Sequence, residues 1–328
     1  MRHSSRYVVV GGAGFIGSHF VDALIPNDSI DSVTVFDNFS SGRRWHLAAH
    51  QGSPKLGVVD ADIRDSVALR AAFEGCQTVI HLASNPDIAR AVTEPAIDFD
   101  QGTYLTHNVV EAMRTAGVKT ILYASGSGVY GDLGQLEAAE DHGPLVPIST
   151  YGASKLAGEA LISAYSHMFG LRGIVFRFGN VVGPRQTHGV GFDFLRSLRA
   201  DPKRLRILGD GNQSKSYIHV SDVVSAVLTA EGAVGEGRFE TYNVATGDYM
   251  TVREIAELAV EAIGRVPGTT EFAYMGGDRG WAGDVPVVRL DTSRIRGLGW
   301  RNQRSSREAM KASMEAMLAD EEAHSARK

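Results

Sequence analysis

The stretch Tyr7-Val8-Val9-Val10-Gly11-Gly12-Ala13-Gly14-Phe15-Ile16-Gly17 decides the fold. The apolar run Tyr7–Val10 reads as a short buried strand, and Gly14–Leu24 as the helix that follows it. The three spaced glycines of this turn have separate tasks. Gly11 permits the tight reversal, Gly14 lets backbone amides approach a pyrophosphate, and Gly17 lets the helix lie on the strand. The helix start then offers unpaired N–H groups and a positive dipole end to the phosphates. The spacing predicts a dinucleotide site.

Working outward, the second strand, Ser32–Phe36, runs into Asp37, 20 residues beyond Gly17. A carboxylate there accepts from the adenosine ribose hydroxyls and repels a 2′-phosphate, so NAD is expected over NADP, with Arg43 and Arg44 as nearby cations. Strand Leu56–Val59 leads to Asp62, placed to receive the adenine amino group, and to Ile63, placed to cover the ring. After a helix over Val67–Phe73, strand Thr78–Leu82 delivers Leu82-Ala83-Ser84 at the carboxyl edge of the sheet, where ligands bind. Helix Tyr104–Ala116 and strand Thr120–Ala124 continue the alternation. A further helix is expected from Ser149 to Phe169, with Gly170 as its stop. Strands alternating with helices of this length give an α/β fold with a Rossmann-type, doubly wound parallel sheet.

Beyond Gly179 the pattern loosens into loops rich in Gly and Pro. Helices are expected over Asp222–Ala230 and Val252–Ile263, and a charged surface helix over Arg304–Lys328. Residues 1–180 are expected to form the NAD-binding domain. Residues 181–328 are expected to form a smaller C-terminal α/β substrate lobe, with the chain free to cross back.

Composition narrows the class. The 328 residues are 43% hydrophobic and 22% charged, a globular balance that excludes a disordered or fibrous chain. A net charge of −5 without a basic stripe argues against a nucleic-acid partner. The one cysteine, Cys76, cannot pair within the chain, which fits a reducing cytoplasmic compartment. The opening Met1-Arg2-His3-Ser4 lacks the apolar core of a signal peptide, and no run approaches the roughly 18 apolar residues of a membrane span. The histidines form no HExxH pair, so no metal is predicted.

Tyr151-Gly152-Ala153-Ser154-Lys155 places a phenol and an ammonium at i and i+4, on one helix face. The cation should favour the phenolate and lower the Tyr151 pKa, and a positive nicotinamide would act in the same sense. Such a group can take a proton from an alcohol while the carbon is oxidised.

Together these segments resemble the extended short-chain dehydrogenase/reductase family in its nucleotide-sugar epimerase/dehydratase branch, most of all the UDP-glucose (UDP-galactose) 4-epimerases of archaeal type. The resemblance rests on Gly11–Gly17, Asp37-Asn38-Phe39-Ser40-Ser41-Gly42-Arg43, Asp62-Ile63-Arg64-Asp65, His81-Leu82-Ala83-Ser84, Val129-Tyr130-Gly131-Asp132 and Tyr151–Lys155. It continues through Arg177-Phe178-Gly179-Asn180-Val181-Val182-Gly183-Pro184-Arg185, Gly209-Asp210-Gly211 and Asp222. It implies a redox-neutral 4-epimerisation of a UDP-hexose through a 4-keto sugar, with hydride lent to NAD and returned. Tyr151 would be the base, and Lys155 would lower its pKa and bind the nicotinamide ribose. Phe15, Ile16, Asn38, Ser40, Ser41, Gly42, Ser125 and Phe178 would add cofactor contacts. Gly126, Ser127, Asn180, His188 and Val190 would meet the nucleotide sugar, with Lys215 and Arg279 on its diphosphate. A homodimer through helices near Tyr104–Ala116 and Leu156–Phe169 is implied in the same way.

The chain departs from that pattern at one catalytic position. The family's Ser or Thr, three residues before the Val of Val-Tyr-Gly, is here Gly126. Ser127 or Ser125 could stand in; the alternatives are that Tyr151 works alone, or that the enzyme is slow or takes a different substrate. Dehydratases carry an Asp-Glu pair directly after that Thr, and decarboxylases a Glu just before the Val; here those positions hold Ser127 and Gly128. Milder departures are Val10, Gly102, Lys215 for Arg, and Trp281 where Arg is frequent, leaving Arg279 to serve. Another nucleotide-sugar epimerase, a net oxidoreductase, or an NAD-binding regulatory protein are the alternatives.

Overall fold

The structure is a computed structural model that describes residues 5–235, 239–266 and 268–325. The readings at Met1–Ser4 and Ala326–Lys328 lie outside the described residues. In chain order the first half runs β1 (Ser5–Val10), α1 (Phe15–Leu24), β2 (Ile30–Asp37), β3 (Leu56–Asp60), α2 (Ser66–Phe73), β4 (Thr78–His81), α3 (Tyr104–Ala116), β5 (Thr120–Gly126) and α4 (Thr150–Phe169). There follow β6 (Arg172–Phe178), β7 (Asn180–Val182), α5 (Val190–Ala200), β8 (Arg204–Ile207), β9 (Ser214–Lys215), β10 (Tyr217–His219) and α6 (Val220–Ala233). The last elements are β11 (Phe239–Val244), β12 (Met250–Thr251), α7 (Val252–Ala262), β13 (Glu271–Tyr274), α8 (Ser293–Gly297) and α9 (Ser306–Ser325).

The chain forms two compact units, both discontinuous in sequence. One holds the residues up to Val129 together with Thr150–Arg177 and Val224–Tyr242; the other holds Tyr130–Ser149, Phe178–Val223 and the chain from Asn243 on.

The first unit is built on a seven-stranded sheet in the order β11-β6-β5-β4-β1-β2-β3. The pairs β1–β2, β2–β3, β1–β4 and β4–β5 are parallel. Strand β1 lies between β2 and β4, so the winding reverses there, which opens a crevice at the strands' carboxyl ends. All four residues of β4 are buried, as expected of an inner strand covered on both faces. Val8, Val10, Phe36, Val79 and Ile121 of the sheet share a core with Leu69 and Phe73 of α2 and Val109 and Met113 of α3. Helix α4 ends before Gly170, whose φ is +69°, as the stop signal predicts. Strand β5 runs two residues past the expected Ala124, so Ser125 and Gly126 lie in the strand rather than in the loop.

The second unit pairs β7 with β10 and β8 with β13 in parallel, and β9 with β12 antiparallel. Helices α5, α7 and α9 share a core through Phe194, Leu198, Ile255, Ala259, Met310 and Met314. A capping box, in which Thr251 and Glu254 exchange side-chain and backbone hydrogen bonds, fixes the start of α7.

Candidate active site

The glycine turn needs its glycines for the reasons its spacing implies. Gly11 has φ +82°, and a Cβ on it would lie 2.8 Å from the Ala83 backbone nitrogen. A Cβ on Gly17 would lie 2.2 Å from the Gly11 carbonyl oxygen, so only glycine lets α1 rest on the turn. Gly14 caps α1 without a side-chain hydrogen bond, and the first turn carries no acid. The helix start therefore presents its amides without a competing side chain, which is what a pyrophosphate requires. Leu82 and Ala83 both donate backbone hydrogen bonds to the Val10 carbonyl, at 2.9 and 3.1 Å, and so tie the end of β4 to the same turn. These features fit a dinucleotide.

Asp37 has a structural task beside the expected one. Its carboxylate accepts from the Ala13 N–H at 2.9 Å and from the Phe39 N–H at 2.8 Å, which locks the glycine turn to β2. Burial raises its pKa, and the two amides oppose that shift. A Cβ on Gly42 would come within 2.9 Å of the same carboxylate, so the 38–43 loop folds closely over it. The Arg44 guanidinium pairs with Asp60 and lies 4.2 Å from the centre of the Phe39 ring. Burial alone would raise Asp62, but the Arg64 amide, the Asn38 amide at 2.9 Å and the Arg64 charge hold it below the ordinary carboxylate value. Ile63 is buried beside it.

Helix α4 turns an unusual face inward. Its buried residues are Gly152, Ser154, Lys155, Gly158, Glu159, Ile162 and Ser166, mostly small or polar where an ordinary amphipathic helix places Leu or Val. Gly158 makes room for the Tyr123 hydroxyl, since a Cβ there would lie 2.3 Å from it. Lys155 is 4% exposed; its Nζ donates to the Ala124 carbonyl at 2.8 Å and lies 5.6 Å from the centre of the Tyr151 ring. Burial brings the Lys155 ammonium down to about 8, against the pull of the Asp98 and Glu159 carboxylates.

The expectation that Lys155 lowers the Tyr151 pKa is not met by the protein's own groups. Burial pushes the phenol up to about 12, the Asp98 carboxylate adds to that, and a hydrogen bond from Ser84 acts in the opposite sense. At 5.6 Å the ammonium faces the ring and is spent on a backbone carbonyl. His81, fully buried, is pushed down to about 3 by burial and by the Lys155 charge, so it is a neutral neighbour.

Ser125 and Ser127 separate clearly. The Ser125 hydroxyl donates to Glu159 at 2.5 Å, and Glu159 is buried in an ion pair with Arg177 at 2.7 Å. That hydroxyl is committed to holding β5, α4 and β6 together. Ser127, half-buried, opens the 3₁₀ turn Ser127–Tyr130 directly after Gly126. Asp98 is a further residue of the site. Only 1% exposed, it accepts from the Asn85 amide at 2.8 Å and from the Thr150 hydroxyl at 2.7 Å, beside Tyr151. The available signal was an acid set between the apolar Ile97 and Phe99.

In the second unit, Phe178 is buried and Asn180 opens β7, its backbone N–H on the Ser216 carbonyl at 3.0 Å. His188 is exposed, and Val190 begins α5 after Gly189. Both expected diphosphate cations have carboxylate partners. Lys215 pairs with Asp284 at 2.6 Å; Arg279 pairs with Asp132 at 2.6 Å and donates to the Asp284 carbonyl at 2.7 Å. Asp284 is thus a further residue of this cluster. Among the described residues no group of His, Cys, Asp or Glu could hold a metal ion.

Comparison with known proteins gives this arrangement its context. The chain is 34% identical over 310 residues to a putative UDP-glucose 4-epimerase of Methanocaldococcus jannaschii, covering 93% of this chain and 95% of the relative. It is 35% identical over 306 residues to a UDP-glucose 4-epimerase of Mycolicibacterium smegmatis, covering 91% and 94%. The fold matches a UDP-galactose 4-epimerase crystal structure with a TM-score of 0.84 at 37% identity, over 96% of this chain and 99% of the other. The family model described as "NAD dependent epimerase/dehydratase family" matches residues 7–245. A glycine turn fit for a pyrophosphate, with a Tyr-Lys couple in the same unit, is what that family needs, and the chain belongs to the NAD dependent epimerase/dehydratase family.

Proposed function

We propose that this protein is a nucleotide-sugar 4-epimerase that interconverts UDP-glucose and UDP-galactose with bound NAD. The observation that carries the reading is the pairing of the Tyr151–Lys155 couple with a segment, Ala124–Val129, that holds no carboxylate. Elimination of water or loss of carbon dioxide needs an added acid there. Reversible oxidation of an alcohol needs only a proton acceptor and a place to hold the cofactor. The same features suit the related sugars with an acetamido or carboxylate group, since nothing in Ala124–Val129 selects among them.

Residues Gly11, Gly14, Gly17 and Asp37, with Asn38, Ser40, Ser41, Gly42, Asp62, Ile63 and Leu82–Ser84, are assigned to NAD. NAD held by these residues would supply a reversible acceptor for the C4 hydrogen and its electron pair. Tyr151 takes the proton of the sugar O4 hydroxyl as the C4–O bond becomes a carbonyl, and returns it after the keto sugar has presented its other face. Lys155 holds the ribose, and its charge favours the phenolate once the site is filled. Its backbone hydrogen bond keeps it in place meanwhile. Ser127 is assigned the proton bridge that Gly126 cannot provide. Asn180, His188, Val190, Lys215 and Arg279 are assigned to the nucleoside diphosphate.

Gly126 is also what favours a second reading, net oxidation of the sugar, because weakened proton return would strand the keto form. Incubation with UDP-galactose, UDP-glucose and their acetamido and uronic relatives, followed by product analysis and absorbance at 340 nm, separates the two. Equilibration of C4 epimers at constant absorbance is expected; stoichiometric NADH would overturn epimerisation.

The proposed assembly is a cytoplasmic homodimer through α3 and α4. Supporting it are the exposed apolar residues Tyr104 on α3 and Met168 and Phe169 at the end of α4. Among the described residues no helix is long and apolar enough to cross a membrane.

A further inference from the structure

Two contacts from one short segment straddle Tyr151. The chain leaving β4 forms a π-helical turn, Phe99–Thr103, before α3 begins. Just ahead of that turn, Asp98 accepts the Thr150 hydroxyl at 2.7 Å, one residue before Tyr151. Within the turn, Thr103 donates to the Ser154 hydroxyl at 3.3 Å, three residues after Tyr151. Gly102 packs so tightly there that a Cβ on it would lie 1.9 Å from the Ser154 Oγ. Such π turns add a residue to a helix and often mark functional positions. Here the turn and the residue just ahead of it touch α4 on both sides of Tyr151.

Asp98 is held as firmly as it holds. Its other oxygen accepts from the Asn85 amide at 2.8 Å, and Asn85 in turn donates to the Asp87 carbonyl and accepts from the Asp87 N–H. A buried carboxylate with hydrogen bonds on both oxygens has a fixed place and a fixed field.

We propose that Asp98 is a positioning residue for Tyr151: through Thr150 it sets the first turn of α4, and its charge faces the Tyr151–Lys155 couple. The assignment rests on Tyr151 being the proton acceptor of the proposed reaction. Other groups also face the couple. Lys155 and Glu159 come from α4, Ser84 from the chain after β4, neutral His81 from β4, and Tyr123 from β5, its hydroxyl raised by burial. Asp98 is the one carboxylate among the causes that raise Tyr151. It disfavours the phenolate and supports the Lys155 cation, so it favours the protonated form of both groups.

Two variants separate position from charge. Asp98→Asn keeps the shape and removes the charge; Thr150→Val keeps the charge and removes the link. The tyrosinate absorbance of cofactor-free protein is titrated for each, with Tyr151→Phe subtracted to isolate one phenol. The Tyr151 step is expected to move down by about one pH unit in D98N and to stay in place in T150V. With UDP-galactose, T150V is expected to lower kcat about tenfold while KM and thermal midpoint stay unchanged. An unmoved titration in D98N overturns the proposal, and so does a T150V enzyme with wild-type kcat. Loss of activity that only follows loss of the thermal midpoint would assign both residues to stability alone. Should D98N not fold, the T150V kcat decides. Full turnover by Tyr151→Phe would overturn the catalytic reading, while the titration would still report on Asp98.

Discussion

At Gly126 the backbone belongs to strand β5, with no left-handed φ to oppose a side chain. The backbone conformation there is one that a side chain can adopt. Gly126→Thr is expected to raise kcat for C4 epimerisation about tenfold, the worth of one bridging hydrogen bond, with thermal stability unchanged. Ser127→Ala in the native background should lower kcat by a similar factor, and a variant at wild-type rate would remove Ser127 from the mechanism. At Gly17 a Cβ would meet backbone. Gly17→Ala should cost about 1–3 kcal/mol in chemical denaturation and weaken NAD binding, measured by calorimetry. Single residues also mark the limit of sequence reading. The glycines and Asp37 were legible because backbone geometry and charge dictate their types. The state of Tyr151 was not, because its pKa follows from burial and from Asp98, 53 positions earlier in the chain.

Helix α4 concentrates the chemistry because its inward face is polar. Its span was legible from the run of helix formers between Ser149 and Gly170, but its buried partners came from distant segments that no local pattern announces. Glu159 and Arg177 show this: they are fully buried, paired at 2.7 Å, and anchored further by Ser125. Glu159→Ala removes the carboxylate of a buried ion pair and should cost about 3–5 kcal/mol in urea unfolding. Lys155 makes a pH prediction of definite sign. Its pKa falls from 10.5 to about 8 on folding, so between those values the unfolded chain binds more protons and stability rises with pH. Tyr151 acts oppositely above pH 10, where the native phenol keeps a proton until about 12. Compared with Lys155→Met, the wild-type protein should therefore gain relative stability from pH 8 to 10, read from paired thermal melts. A constant difference would mean that the ammonium is not desolvated.

At the scale of the whole molecule, the alternation of strands and helices made the sheet legible through Ala124. The division into units was less so, because the segments Tyr130–Ser149 and Val224–Tyr242 each belong with residues far from them in sequence. The homodimer proposed through α3 and α4 predicts that Met168→Glu with Phe169→Glu yields a monomer in light scattering, where the wild-type chain is dimeric. A wild-type monomer would contradict that assembly. The central claim is that the sugar is oxidised and reduced at one carbon, within one site, by a cofactor that does not leave. UDP-galactose deuterated at C4 tests it directly. NMR of the UDP-glucose formed should show the deuterium retained at C4, in the presence of excess unlabelled NADH. Loss of the label to the NADH pool, or a product oxidised at C4 and not restored, would contradict the account.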